Sequence, residues 1–202
     1  MGREKNVKHT IVGLAALFLV APVAGATTLV QMNLADLSGR AGRIFRGTVV
    51  AVDAGTVKAG GGELPTVAYR IKVTDALKGE FAGAGDSKYV VVRMIDPAQG
   101  GERTGHVRRV SPFRDLPVLE RGREYLLFTT APSRIGLSTT VGLGQGAFRI
   151  VGEGARAAAV NAYGNAGLFN RMGAALGRSA QPAAGPVAYG DMAARVRALV
   201  GR

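Results

Sequence analysis

The chain has 202 residues, no cysteine, and 26 Lys and Arg against 14 Asp and Glu, for a formal net charge of +12. A chain without cysteine has no disulfide framework and no thiolate metal site, so its stability has to come from packing. The length suits a leader followed by one domain with a core of ordinary size.

The first residues read as a secretory signal peptide. Arg3, Lys5 and Lys8 give a positive start, Ile11 to Val20 is an apolar run, Pro22 ends it, and Ala24-Gly25-Ala26 is a small-x-small cleavage signal. The run is about half of the ~20 apolar residues that a bilayer-spanning helix needs. Cleavage after Ala26 is expected, with no cysteine behind it for lipid attachment and no later segment apolar enough to span a membrane. The product would be a secreted or periplasmic chain of 176 residues, with 23 cations, 13 acids and a net charge of +10. Such a balance points to a polyanion partner only where the charge is clustered. The cations are scattered, and the one dense group is Arg103, Arg108, Arg109 and Arg114.

Asn33 is placed to cap a short helix with Asp36 three residues on, Leu34 and Leu37 on one face, and Gly39 or Gly42 at its end. Ile44 to Val52 reads as a strand with a bulge or bend at Gly47, and the Gly-rich stretch 54–64 as a loop. Thr66 to Leu77 is the clearest strand, with Val67, Tyr69, Ile71 and Val73 alternating with Ala68, Arg70, Lys72 and Thr74. Lys88 to Ile95 is another strand. Residues 96–117 form a long Gly- and Pro-bearing loop, with Val107 to Val110 a short strand inside it; loops this long are often functional. Strands are expected at 123–130, 137–143, 147–151 and 157–161, the middle two joined as a tight hairpin at Gly144-Gln145-Gly146. Residues 164–186 are weakly periodic and read as an extended or partly disordered connection. Asp191 would cap a last helix with Met192, Val196, Leu199 and Val200 inward and Arg195 and Arg197 pointing away.

Short strands, Gly-rich turns and terminal helices, with no βαβ alternation, predict a mainly β fold: a small antiparallel barrel or sandwich of six to seven strands. The expected organisation is a signal peptide at 1–26, a β-barrel domain at 27–161, a Gly/Ala/Pro-rich connection at 162–190 and a C-terminal helix at 191–202.

Several segments together resemble an uncharacterised group of secreted bacterial proteins. They are Thr27 to Met32 followed by Leu34-Ala35-Asp36-Leu37, Arg46-Gly47-Thr48-Val49-Val50, and Tyr69 to Val73 through Leu77-Lys78-Gly79. Later come Pro117 through Gly122, Glu124 and Leu126-Leu127-Phe128, then Val141-Gly142-Leu143, Gln145-Gly146 and Phe148-Arg149-Ile150-Val151. The resemblance implies an OB-like barrel of the kind seen in netrin and metalloprotease-inhibitor domains, sometimes ahead of a matrixin-type zinc protease. This chain has no HExxH helix, and it lacks the cysteine that the animal inhibitors insert into their target. The group therefore implies location and fold, and no activity.

Sites for chemistry are sparse. His106 is the one histidine after the leader, too few for zinc with no cysteine present, and no Asp-rich calcium loop appears. A triad of His106, Ser111 and Asp96 or Asp115 would lie within a single loop, and there is no G-x-S-x-G elbow. Glu120 and Glu124 are a carboxylate pair by proximity alone. Gly142 to Gly146 lacks the Lys-Ser/Thr of a phosphate loop. The strand aromatics Phe45, Tyr69, Tyr89, Tyr125, Phe128 and Phe148 belong by default to the core, which leaves the basic loop with only Phe113. The reading is an exported, non-enzymatic binding or accessory module without cofactor or metal. Its expected partner is another exported protein, contacted through Arg103, His106, Arg108, Arg109, Phe113 and Arg114. The alternatives are a polyanion-binding barrel (nucleic acid, acidic glycan or membrane surface) and a hydrolase with an unrecognised site.

Overall fold

The computed structural model describes residues 30–83, 88–97, 103–104, 107–108, 115–172 and 184–201. The expected leader lies outside these, as do His106, Arg109, Ser111, Phe113 and Arg114.

Helix α1 (Leu34–Arg40) starts at Asn33 with a capping box: the Asn33 side chain accepts from the Asp36 N–H, and the Asp36 carboxylate accepts from the Asn33 N–H. Two long strands follow, β1 (Arg43–Ala59) and β2 (Gly62–Lys78), paired from Ile44↔Lys78 to Ala59↔Gly62. The stretch expected as a loop at 54–64 is thus the distal half of one hairpin. Its Gly-rich composition is used only at the tip, where Gly60 and Gly61 take φ of +59° and +82°. Two consecutive positive φ values match the right-handed twist of the flanking strands, and glycine adopts them without strain. At Gly47 the register shifts, and a Cβ there would lie 2.5 Å from the Lys72 carbonyl oxygen, so the chain can bend only because no side chain is present.

Strand β3 (Tyr89–Ile95) pairs with β2, β4 (Arg103–Thr104) pairs with β5 (Val107–Arg108) as a separate two-residue ladder, and β6 (Glu124–Thr129) pairs with β1. Beyond β6 come β7 (Ala147–Val151), β8 (Ala158–Asn161), β9 (Val187–Ala188) and helix α2 (Tyr189–Val200). The main sheet runs β3-β2-β1-β6-β7-β8-β9, all antiparallel.

The expectation of a closed, OB-like barrel is overturned: β3 and β9 are the two edges, and no ladder joins them. Closure needs the outermost strands to meet in register around the full circumference. Here the last strand is two residues long, and the β3 edge is stopped locally. The Tyr89 N–H donates to the Ala82 carbonyl, and the Arg93 carbonyl accepts from the Ser138 N–H. These two bonds occupy part of the β3 edge, at Tyr89 and Arg93.

The sheet is buried on both faces at its middle, which explains the unbroken apolar run of β6. Leu126 and Phe128 join Ile44, Phe148, Leu34, Leu37, Met192 and Val196 under the two helices. Tyr125 and Leu127 join Phe45, Val49, Tyr69, Ile71, Val92 and Met94, over which the β1–β2–β3 arm curls. Fully burying each large apolar side chain contributes roughly 1.5–3 kcal/mol, and both clusters are rich in them.

Three local expectations change. Residues 137–143 do not pair with 147–151. Thr140 bridges to Thr129, Gly142 and Leu143 take φ of +64° and +58°, and Leu143–Gly146 is a single 3-10 turn that delivers β7 to β6. The described part of the expected extended connection, 162–172, folds back as turns and places Leu168 and Met172 in the helix-side core. Helix α2 begins at Tyr189 with Ala188 as its cap residue, so Asp191 sits in its first turn and does not cap it.

Candidate functional site

Among the described residues, titratable side chains converge where α2 lies on the sheet. Glu124 of β6 takes a two-pronged bond from Arg46 of β1, with Nε–Oε1 2.8 Å and Nη2–Oε2 2.7 Å. Asp75 of β2 accepts from the Tyr189 hydroxyl at 2.7 Å and from Arg197 Nη2 at 2.7 and 2.9 Å. The Arg46 guanidinium lies 4.4 Å from the centroid of the Tyr189 ring. Burial, and then its hydrogen bond to Asp75, hold the Tyr189 hydroxyl far above its ordinary range. The bond to Glu124 raises Arg46 further. Each carboxylate is thus committed to a guanidinium and the phenol is held as a neutral donor. A general acid–base pair needs a group able to exchange protons near neutral pH. This arrangement reads as a clamp between helix and sheet.

Arg197 is exposed as expected and reaches Asp75 from the surface, whereas Arg195 is partly covered, 5.2 Å from the Phe169 ring centroid. The carboxylate pair at Glu120 and Glu124 is not assembled, because Glu120 pairs with Arg123 at the surface while Glu124 turns to Arg46. Among the described residues no cluster of His, Asp and Glu is arranged to hold a metal ion. No described helix is long and apolar enough to cross a membrane.

Of the loop residues expected to make contacts, Arg103 and Arg108 are described by their backbone, which places them opposite each other in the β4–β5 ladder. The loop rejoins the fold at Asp115, and there a groove opens. The core face that carries Tyr125 and Leu127 continues onto β7 and β8 past the end of the covering arm. This leaves Arg149 and Val160, cross-strand partners, as its floor. Residues 115–120 form one wall and Tyr163 the other, enclosing about 600 Å³. Val118 is 66% exposed and Tyr163 44% exposed on the rim, and Arg149 is exposed between them. The walls are fixed from beneath: Leu116 and Leu119 are buried, and the Glu120 N–H donates to the Tyr125 hydroxyl.

No family model matches the chain, and no curated protein matches it.

Gln145, in the segment expected as a tight hairpin turn, ties down the N-terminal segment. Its carbonyl oxygen accepts from the Met32 N–H and its amide donates to the Val30 carbonyl, so one side chain imitates a strand partner. Gln31 donates to the Ala166 carbonyl beside it. Tyr163, Val118 and Arg149 are not among the contact residues expected from the sequence, although Val118 and Arg149 fall within the segments that carry the resemblance. The available signal was a Pro-flanked valine, Pro117-Val118, and a tyrosine directly after a strand.

Proposed function

We propose that this protein is an exported, non-enzymatic binding module that contacts another exported protein through the groove between residues 115–120 and the β7–β8 face. The supporting observation is the exposed lining: Val118 and Tyr163 on the rim and Arg149 on the floor stand exposed together in a cavity of about 600 Å³. Tyr and Arg dominate binding energy at protein interfaces, and an apolar centre with a polar margin is their usual anatomy. Asp115 and Glu120 supply that margin here. The expected contact loop ends at this groove, so its arginines would extend the same surface. The resemblance to secreted bacterial proteins and the leader at 1–26 support export, for which N-terminal sequencing of the protein from the exported fraction should begin at Thr27.

The test of binding is co-elution. Tagged protein from the exported fraction should carry a partner near 1:1, and Val118→Asp with Arg149→Glu should remove it while the far-ultraviolet spectrum stays unchanged. A partner retained by that double variant would defeat the assignment.

A further inference from the structure

A second surface lies on the opposite side of the β1–β2–β3 arm, away from its buried face. The register sets Arg70 between Ala51 and Val91, Ala68 between Asp53 and Arg93, and Lys72 beside Tyr89. On β1 the small Ala51 faces Arg70. Two hollows result, of about 230 and 550 Å³, and both are lined by Arg70 and Val91. The exposed carboxylate of Asp53 lines the first hollow across Ala68 from Arg93, so that hollow carries two cations and one acid. Arg93 closes the outer end of the first, and Tyr89, 39% exposed, closes the second. Tyr89 is the one strand aromatic that departs from the expected core placement.

Arg70, Lys72 and Arg93 form no ion pair among the described residues, in contrast to Arg46 and Arg197. We propose that this face binds a linear acidic polysaccharide, with Arg70 shared between two adjacent sugar units, Arg93 on a second acidic group, and Tyr89 as the platform for one ring.

Several observations select this occupant. The backbone groups of β2 are used in ladders on both sides, so the ligand has to be held by side chains. A peptide strand would instead seek a sheet edge, whereas both hollows are lined by Arg70 of β2, an interior strand of the sheet. Single-stranded nucleic acid is recognised by successive stacking aromatics, and this face offers Tyr89 alone. A flat anionic membrane does not enter a recessed trough. The site lies apart from the groove and does not depend on it.

The test uses the purified protein and polygalacturonate in titration calorimetry, with single-stranded DNA as competitor. Binding should weaken with salt, since exposed charges are screened. Arg70→Ala with Arg93→Ala should lower affinity at least tenfold, and Tyr89→Ala severalfold. Arg121→Ala with Arg156→Ala, which removes the same charge elsewhere, should leave affinity within twofold. Four results would overturn the proposal: no measurable binding, equal loss in the two double variants, unchanged affinity in the first, or DNA displacing the glycan at lower concentration than the glycan itself.

Discussion

Two arginines on neighbouring strands have opposite fates. Arg46 on β1 is half-buried, bonded through Nε and Nη2 to Glu124 and stacked on Tyr189. Arg70 on β2 is exposed on the arm and forms no ion pair among the described residues. The helix-covered half spends its charges on itself, and the arm leaves its charges for solvent or a ligand. In a chain this rich in arginine, composition does not separate the two uses; what lies over the strand does.

The comparison can be broken hardest in the core under the two helices, on which the clamp sits. Phe128→Ala empties a fully buried site packed at 5.5 Å on Phe148, and should cost about 3–5 kcal/mol in denaturant unfolding. Glu124→Gln leaves the Arg46 guanidinium short of its counter-charge in a partly buried setting and should cost about 1–3 kcal/mol. A loss below ~0.5 kcal/mol, the range of ordinary surface changes, would erase the distinction between clamp and arm.

Tyr189→Phe removes one hydrogen bond to Asp75 and should cost about 1 kcal/mol at neutral pH. It also sharpens the comparison through pH. The Tyr189 hydroxyl, like that of Tyr69, titrates higher in the fold than its free value, first because burial disfavours the phenolate. The unfolded chain therefore releases these protons first, near pH ~10. The stability they contribute is complete below that point and is lost as pH rises above it. Unfolding midpoints followed from pH 8 to 11 should fall for the wild type and fall less steeply for Tyr189→Phe. The smallest effect belongs to the arm: Arg70→Ala and Arg93→Ala should each change stability by less than ~0.5 kcal/mol.

Much of the fold was legible where a residue's role is local. Asn33 and Asp36 announced their capping box, and the alternation from Val67 to Val73 announced β2 and its buried face. The barrel was not legible correctly, because Tyr125-Leu126-Leu127-Phe128 is apolar throughout whether the second cover is the far wall of a barrel or a pair of helices. Residues 54–64 looked like a loop because glycine marks a turn without saying how tight it is; here the turn takes Gly60 and Gly61, and the flanking residues continue the strands. The groove was hidden for a related reason. Arg149 and Val160 become neighbours only through the β7–β8 register, and Val118 joins them only because Leu116 and Leu119 anchor its segment. The clamp joins Asp75, Glu124 and Tyr189 from three distant segments, and pairing of that kind leaves no periodic trace.

The most direct test of the functional account is site-specific photo-crosslinking in the exporting cell, with the reactive side chain placed in turn at Val118, Tyr163 and Lys78. The account predicts one crosslinked protein species from both rim positions and none from Lys78, whose ammonium is held by the Ser38 carbonyl on the helix side. The same species from all three positions, or none from the rim, would contradict it.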